Sequence, residues 1–426
     1  MLGYHLELAF EAIRRSKVSS LIAAGSVAVG IGACVTLISL QLSMLRDPVP
    51  SKSKSLYHVQ IDTRTGQARQ GPALDGLNYS DFQELERLRS ESVKVTASFV
   101  SRMSVAQPGR PIETLSVRAV SSDFFHMFEV PILSGRSWTY EEDKMRMPVA
   151  LLSKRVSERL FRGASTGAVI TLGGREYRVT GVVGPWRPAP KFFDLNAGAF
   201  SGADDVYIPI ETAVANSAIP NNLLCWADPG PADALARAPC GWLDSWVEIQ
   251  SQEMAHSIEQ RIKNQLADVG LQDADSRVIF MALTDWISFK GVVPDEIKLQ
   301  TIVALAFLVM CTTNVAGILL LKYHLRSREL AIRRVLGASL RAVAAHVFFE
   351  SLIITSVGAL IGALISYLTL TKIKSGSAEY ADIIIIGPES VLFAAAFGLS
   401  IALIGSVVAV VRVSRLTPIA LLGKSL

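Results

Sequence analysis

Four long apolar stretches punctuate the chain. Between the first and second lies a long segment whose apolar residues recur at strand and helix spacings instead. The stretches run roughly Val18 to Leu45, Thr301 to Leu321, Val343 to Leu370 and Val391 to Val411, and each can supply the ~20 residues of helix that a hydrocarbon core requires. Their flanks are basic. Arg14, Arg15 and Lys17 precede the first, Lys322 to Arg341 join the second to the third, and Arg412, Arg415 and Lys424 follow the fourth. Because positive charge concentrates on the cytoplasmic side of membrane proteins, both termini are expected there and the segment 46–298 outside. The first stretch far exceeds the ~7–15 apolar residues of a secretory signal and reads as a retained anchor.

The intervening segment has the pattern of a folded domain. Leu56 to Asp62 alternates as a strand does, and Tyr79, Phe82, Leu85 and Leu88 recur at helical spacing. Further strand-like runs occupy Pro111 to Val120, Val149 to Ser153 and Tyr177 to Val183, with Gly173-Gly174 as a tight turn before the last. Trp246 to Gln250 reads as a strand, and Met254 to Leu266 as a helix leading back to the membrane. Interleaved strands and helices predict an α/β or α+β unit. The fold class is therefore an α-helical membrane protein of four transmembrane helices, with a large α/β (α+β) extracytoplasmic domain inserted between helices 1 and 2.

Composition agrees with a membrane protein. Half of the 426 residues are hydrophobic and only 19% are charged, too apolar for one soluble domain of this length. The net charge of +4 gathers in no broad basic face, so nucleic acid is not an expected partner. Of the four cysteines, Cys34 and Cys311 fall in spans, while Cys225 and Cys240 fall where oxidation is permitted. The latter two read either as a disulfide or as two partly buried free thiols; a zinc site lacks a second ligand pair nearby.

Few motifs suggest catalysis. Gly423-Lys424-Ser425 looks like the end of a phosphate-binding loop, but Pro418 stands where its first glycine is required. The six histidines are scattered, and no G-x-S-x-G elbow occurs. No catalytic residue, cofactor or metal ligand is therefore assigned. Polar groups inside the spans are functional candidates by default: Thr312, Thr313 and Asn314 in the second, Glu350 near the start of the third. Asn314 is expected to form an interhelical hydrogen bond, and Glu350 to pair with Arg333, Arg334 or Arg341. Ala24, Ala28 and Gly32 in the first span, and Gly358 and Gly362 in the third, have the spacing of close-packing faces, within a subunit or across a dimer.

The run from Leu325 to Ser339 is a basic helix that cannot enter a bilayer, ending at Gly337. It closely resembles the Arg-Glu-(Ile/Leu)-x-Ile-Arg-Arg-x-Leu-Gly-Ala motif of permeases in the MacB/FtsX/LolC-LolE superfamily of ABC transporters. Ser121 to Phe128, Leu133 to Arg136, Val149 to Ser153, Leu160-Phe161 and Tyr177 to Val183 likewise resemble the MacB-like periplasmic core domain. Val206 to Ile210 is similar to its closing strand, and Arg415 to Leu422 resembles the family's C-terminal pattern.

The resemblance implies the following layout: a cytoplasmic amphipathic segment 1–17; helix 1 at 18–45; a periplasmic core domain 46–298 with a variable insert at about 211–245; and helix 2 at 299–321. A coupling helix 322–342, helix 3 at 343–370, a short periplasmic loop 371–390, helix 4 at 391–411 and a cytoplasmic tail 412–426 complete it. It further implies an ATPase-coupling role for Arg326, Arg328, Glu329, Arg333, Arg334 and Gly337, with ATP and Mg bound by a separate ATPase subunit. A homodimer or heterodimer in the bacterial inner membrane is implied, and for an efflux role a periplasmic adaptor and an outer-membrane channel.

Within the insert, Trp226 and Trp242 read as exposed anchors for a partner or, equally, as a plug beside the cysteines; Phe124, Phe125 and Phe128 read as packed core. The expected function is transmission of ATPase-driven motion to the external domain, in efflux of peptides, antibiotics or other small molecules. Lipoprotein release or cell-wall hydrolase regulation are alternatives on the same fold, and an ATP-independent sensor or scaffold is the competing class.

Overall fold

The structure, a computed structural model, describes residues 14, 16–64, 76–107, 111–268, 271, 277–325, 332, 339–376, 384 and 387–414. The chain divides into two compact units, one formed by Met1–Leu45 with Val293–Leu426 and one by Arg46–Val292. In chain order, leaving aside the short helices Phe124–Met127, Tyr140–Lys144, Lys154–Phe161 and Ile210–Ala215, the main elements are α1 (Lys17–Met44), β1 (Leu56–Ile61), α2 (Tyr79–Glu86), β2 (Val93–Ala106), β3 (Glu113–Val120), β4 (Ile132–Gly135), β5 (Val149–Ser153), β6 (Val169–Leu172), β7 (Arg175–Val183) and β8 (Val206–Pro209). There follow β9 (Leu224–Cys225), β10 (Cys240–Gly241), β11 (Asp244–Ile249), α3 (Gln252–Asp268), β12 (Val278–Ala282), α4 (Leu283–Phe289), α5 (Asp295–Leu325), α6 (Leu340–Lys374) and α7 (Glu389–Ser414). Helices α1, α5, α6 and α7 are each long and apolar enough to cross a membrane.

In the external unit one sheet runs in the order β12-β1-β11-β2-β3-β8-β5-β7-β4, and β6 joins β2 to β7. Its pairings are antiparallel except β3 with β8 and β5 with β7. Two helices cover one part of it, and both bury a stripe at three- and four-residue spacing. Tyr79, Phe82 and Leu85 do so from α2, and Ala255, Ile258, Ile262 and Leu266 from α3. These side chains join Val59, Val95, Ala97 and Val247 of the strands in one apolar core. Asn78 starts α2 by accepting the Asp81 amide at 2.7 Å, satisfying a donor that the first turn leaves free.

The turn between β6 and β7 is Gly173-Gly174, with φ of +55° and +82°. Two successive left-handed residues match the twist of a two-residue hairpin, and only glycine adopts them without strain.

On another part of the sheet, Phe124, Phe128, Phe192, Phe193 and Trp246 are buried in edge-to-face and stacked contacts. The phenylalanines after Ser121 are thus core. Strand β12 and helix α4 stand where no element is predicted from sequence. Val278 to Ala282 is a short apolar run without alternation, so only its pairing with β1 identifies it as a strand.

Candidate functional site

The membrane unit is organised around α1. A Cβ on Gly358 of α6 would stand 2.7 Å from Val27 Cβ and 2.8 Å from the Ala24 carbonyl oxygen, and one on Gly362 would stand 2.8 Å from the Ala28 carbonyl and 3.1 Å from the Gly32 nitrogen. The two small-residue faces therefore pack on each other within one subunit, so close that glycine is required on α6. On the opposite side of α1, Gly30 faces Leu308 and Cys311 of α5, and the Cys34 thiol donates to the Ala304 carbonyl at 3.1 Å. Ser39 meets Ser390 of α7 at 3.1 Å, and Ser351 of α6 donates to Ala402 of α7 at 3.3 Å.

Asn314 is not among these interhelical contacts, contrary to the expectation. It lies on the exposed stripe of α5 with Met310, Gly317 and Leu321, opposite the buried Cys311, Val315 and Leu319. The Thr312 and Thr313 hydroxyls donate along their own helix to Leu308 and Val309. Glu350 is fully buried and pairs with Lys322 at the end of α5; its expected partners Arg333, Arg334 and the side chain of Arg341 lie outside the described residues. Helices α5 and α6 bring the two charges to one level, and with Lys322 only 6% exposed the pair is removed from lipid and water alike. The coupling candidates Arg326, Arg328, Glu329, Arg333, Arg334 and Gly337 lie outside the described residues, as do the side chain of Arg341 and, in the loop 371–390, residues 377–383, 385 and 386.

In the insert, Cys225 and Cys240 are joined by a disulfide closing a 15-residue separation across the small β9–β10 pair. Trp242 is 4% exposed, stacked on Tyr79 and edge-on to Phe99, so it plugs the core and is no exposed anchor. It follows the buried Cys240 into β11, a central strand, which turns its ring inward. Trp226 is half-buried.

Two polar clusters went unforeseen. The Arg118 guanidinium, fully buried, is held by Asp194 and Asp204, and Lys191 donates to Asp204 at 3.0 Å. Buried charge is tolerated when paired in this way. In the second cluster Lys144 bridges Glu86 and Glu211, Tyr79 donates to Glu211 at 2.7 Å, and Asp143 accepts the Glu211 amide at 3.2 Å. Burial, helped by the charges of Glu211 and Glu86, pushes the Asp143 carboxyl up to about 7. A charged residue on a strand, as Arg118 is on β3, is the sequence signal for such a hub, but it looks the same as a solvated one. Among the described residues no three His, Cys, Asp or Glu side chains converge as a metal set.

Four membrane-length helices with an inserted α+β unit define a multi-pass membrane protein with a large extramembranous domain. Comparison with known proteins narrows the class. The MacB-like periplasmic core domain matches residues 20–264 and the FtsX-like permease C-terminal domain residues 301–418. The chain belongs to this family, as an ABC transporter permease of the MacB/FtsX type.

Among its relatives, an uncharacterized ABC transporter permease, YvrN of Bacillus subtilis, is 21% identical over 97% of this chain and 98% of its own length. The macrolide export ATP-binding/permease protein MacB of Chlorobaculum tepidum is 26% identical over 50% of this chain, which spans 32% of that protein. A solved structure of the periplasmic region of MacB from Actinobacillus actinomycetemcomitans aligns with 59% of this chain and 98% of its own, at 14% identity and a TM-score of 0.39.

Proposed function

We propose that this chain transmits force: a separate pair of ATPase subunits binds ATP and Mg, pulls on the segment between α5 and α6, and the movement reaches the external unit through α1 and α5. The observation that carries the reading is the α1–α6 seam. Helices in backbone contact at Ala24–Gly358 and Ala28–Gly362 form a close-packed seam, better suited to a lever than to a conduit. The work is then done outside the membrane by two copies, identical or related, each with its N- and C-terminus in the cytoplasm. The macrolide-export name of the MacB relatives supports efflux of antibiotics, peptides or similar small molecules, together with a periplasmic adaptor and an outer-membrane channel.

The test uses the full chain reconstituted with its ATPase. Engineered cysteine pairs that cross-link the external units of two copies should stop substrate export while ATP still binds. Unimpaired export under cross-linking, or a substrate trapped by photo-cross-linkers at mid-membrane depth, would overturn the reading.

A further inference from the structure

Towards the Lys17 end of α1 the seam with α6 opens. Below Gly358, Ile353, Ile354 and Val357 of α6 and Leu21 and Ala24 of α1 line a groove of about 500 Å³. Ser20 lines this groove. It is 6% exposed, yet among the described residues its hydroxyl has no hydrogen-bond partner. The hydroxyls of Thr36, Ser43, Thr301, Thr312 and Thr355, in contrast, each donate to the carbonyl four residues back. A buried hydroxyl without a partner costs free energy unless something outside the chain satisfies it. At the rim stand Arg14 and Lys17, both exposed, and among the described residues no carboxylate pairs with either.

We infer that the groove holds one anionic phospholipid. The flanking surface is apolar and exposed, with Val18, Leu21 and Ile22 on α1 and Leu360 and Ile361 on α6, and both helices are of membrane length, so an occupant drawn from the bilayer fits it. A water occupies about 30 Å³ of liquid and a methylene group roughly the same, so the groove is on the order of one acyl chain in size. With the chain in the groove, the phosphate lies at the rim, where the Arg14 guanidinium and the Lys17 ammonium donate to its oxygens. The Ser20 hydroxyl, one turn deeper, donates to a glycerol ester carbonyl. Charge complementarity selects an anionic headgroup over a zwitterionic one, since each cation near an anionic surface favours it by about fivefold. The assignment needs only that the four helices lie in a membrane, and it stands apart from the force-transmission reading.

The full chain, purified in detergent and delipidated, is titrated with phosphatidylglycerol and separately with phosphatidylcholine, and retained lipid is read by native mass spectrometry. Phosphatidylglycerol should be retained at least tenfold more tightly, and inorganic phosphate should not compete. Arg14→Gln with Lys17→Gln should erase most of that preference, roughly ten- to thirtyfold, and Ser20→Ala should weaken retention of both lipids. Ile353→Trp, which fills the groove, should abolish retention, with unchanged thermal unfolding showing that the bundle is intact. Equal retention of the two lipids, or a preference that survives the double substitution, assigns the groove to bulk lipid and overturns the proposal. So does a groove that admits either lipid only after the oligomer dissociates, which would belong to a second copy of the chain.

Discussion

Gly358 touches Ala24 backbone to side: a Cβ added at Gly358 would lie 2.8 Å from the Ala24 carbonyl oxygen, with no flexible side-chain end between them to move aside. Gly358→Leu should therefore separate α1 from α6. We expect a loss of at least the ~1–3 kcal/mol typical of overpacking, seen as a lower unfolding midpoint in detergent. Gly317, with nothing within 4 Å of its Cβ position, is the control, and Gly317→Ala should be neutral or slightly stabilising.

The Lys322–Glu350 pair is buried on both sides, so removing one partner takes a buried counter-charge from the other. Glu350→Ala alone should cost roughly 3–5 kcal/mol, while Lys322→Met combined with Glu350→Met should recover most of it. A double-mutant cycle by chemical unfolding checks the coupling. Purely additive losses would mean that the pair makes no favourable interaction.

Reducing the Cys225–Cys240 bond, or replacing both cysteines by alanine, frees a loop of 15 residues. The chain-entropy account puts the loss at about 3 kcal/mol. Non-reducing peptide mapping should recover the linked pair, and thermal unfolding of the external unit should shift downward on reduction.

Asp143 introduces a pH dependence. Its carboxyl sits at about 7 in the fold against 3.8 ordinarily. Between these values the folded chain keeps a proton that the unfolded chain has released, so stability falls as pH rises from about 4 to about 7 and is level above. Asp81, raised by burial to about 6, adds to the same trend. Asp143→Asn, which keeps the acceptor for the Glu211 amide, should flatten the slope in a series of thermal melts and raise the midpoint at pH 8.

For the run between α5 and α6, reversing Arg333 and Arg334 to glutamate should uncouple ATPase activity from transport while membrane insertion persists. Full transport by a correctly inserted double reversal would reduce these arginines to topology signals.

The spans and many external strands were legible because they depend on local pattern: hydropathy for α1, α5, α6 and α7, alternation for β1 and β7, paired glycines for the hairpin between β6 and β7. What escaped depends on who faces whom. Lys322, which no sequence pattern ties to Glu350, is brought level with it by the packing of α5 on α6. Asn314 carries the chemistry of an interhelical bond but falls on the outward stripe, which only the packed bundle defines. Trp242 follows a loop-like stretch rich in proline and glycine, and nothing in that stretch discloses that β11 runs through the middle of the sheet. Arg118 has an outward-looking composition and an inward position, because its two aspartates arrive from a loop far along the chain.

The first and last strands of the external unit, β1 and β12, lie antiparallel with Tyr57 opposite Ala282. The chain thus enters the unit and leaves it at neighbouring points, a few ångströms apart across one ladder. Such a unit is a cassette: its ends can be bridged by a short turn, and it can be exchanged as a block without rethreading the four helices that carry it. A different external block then needs no change in the four helices, only first and last strands that meet as β1 and β12 do.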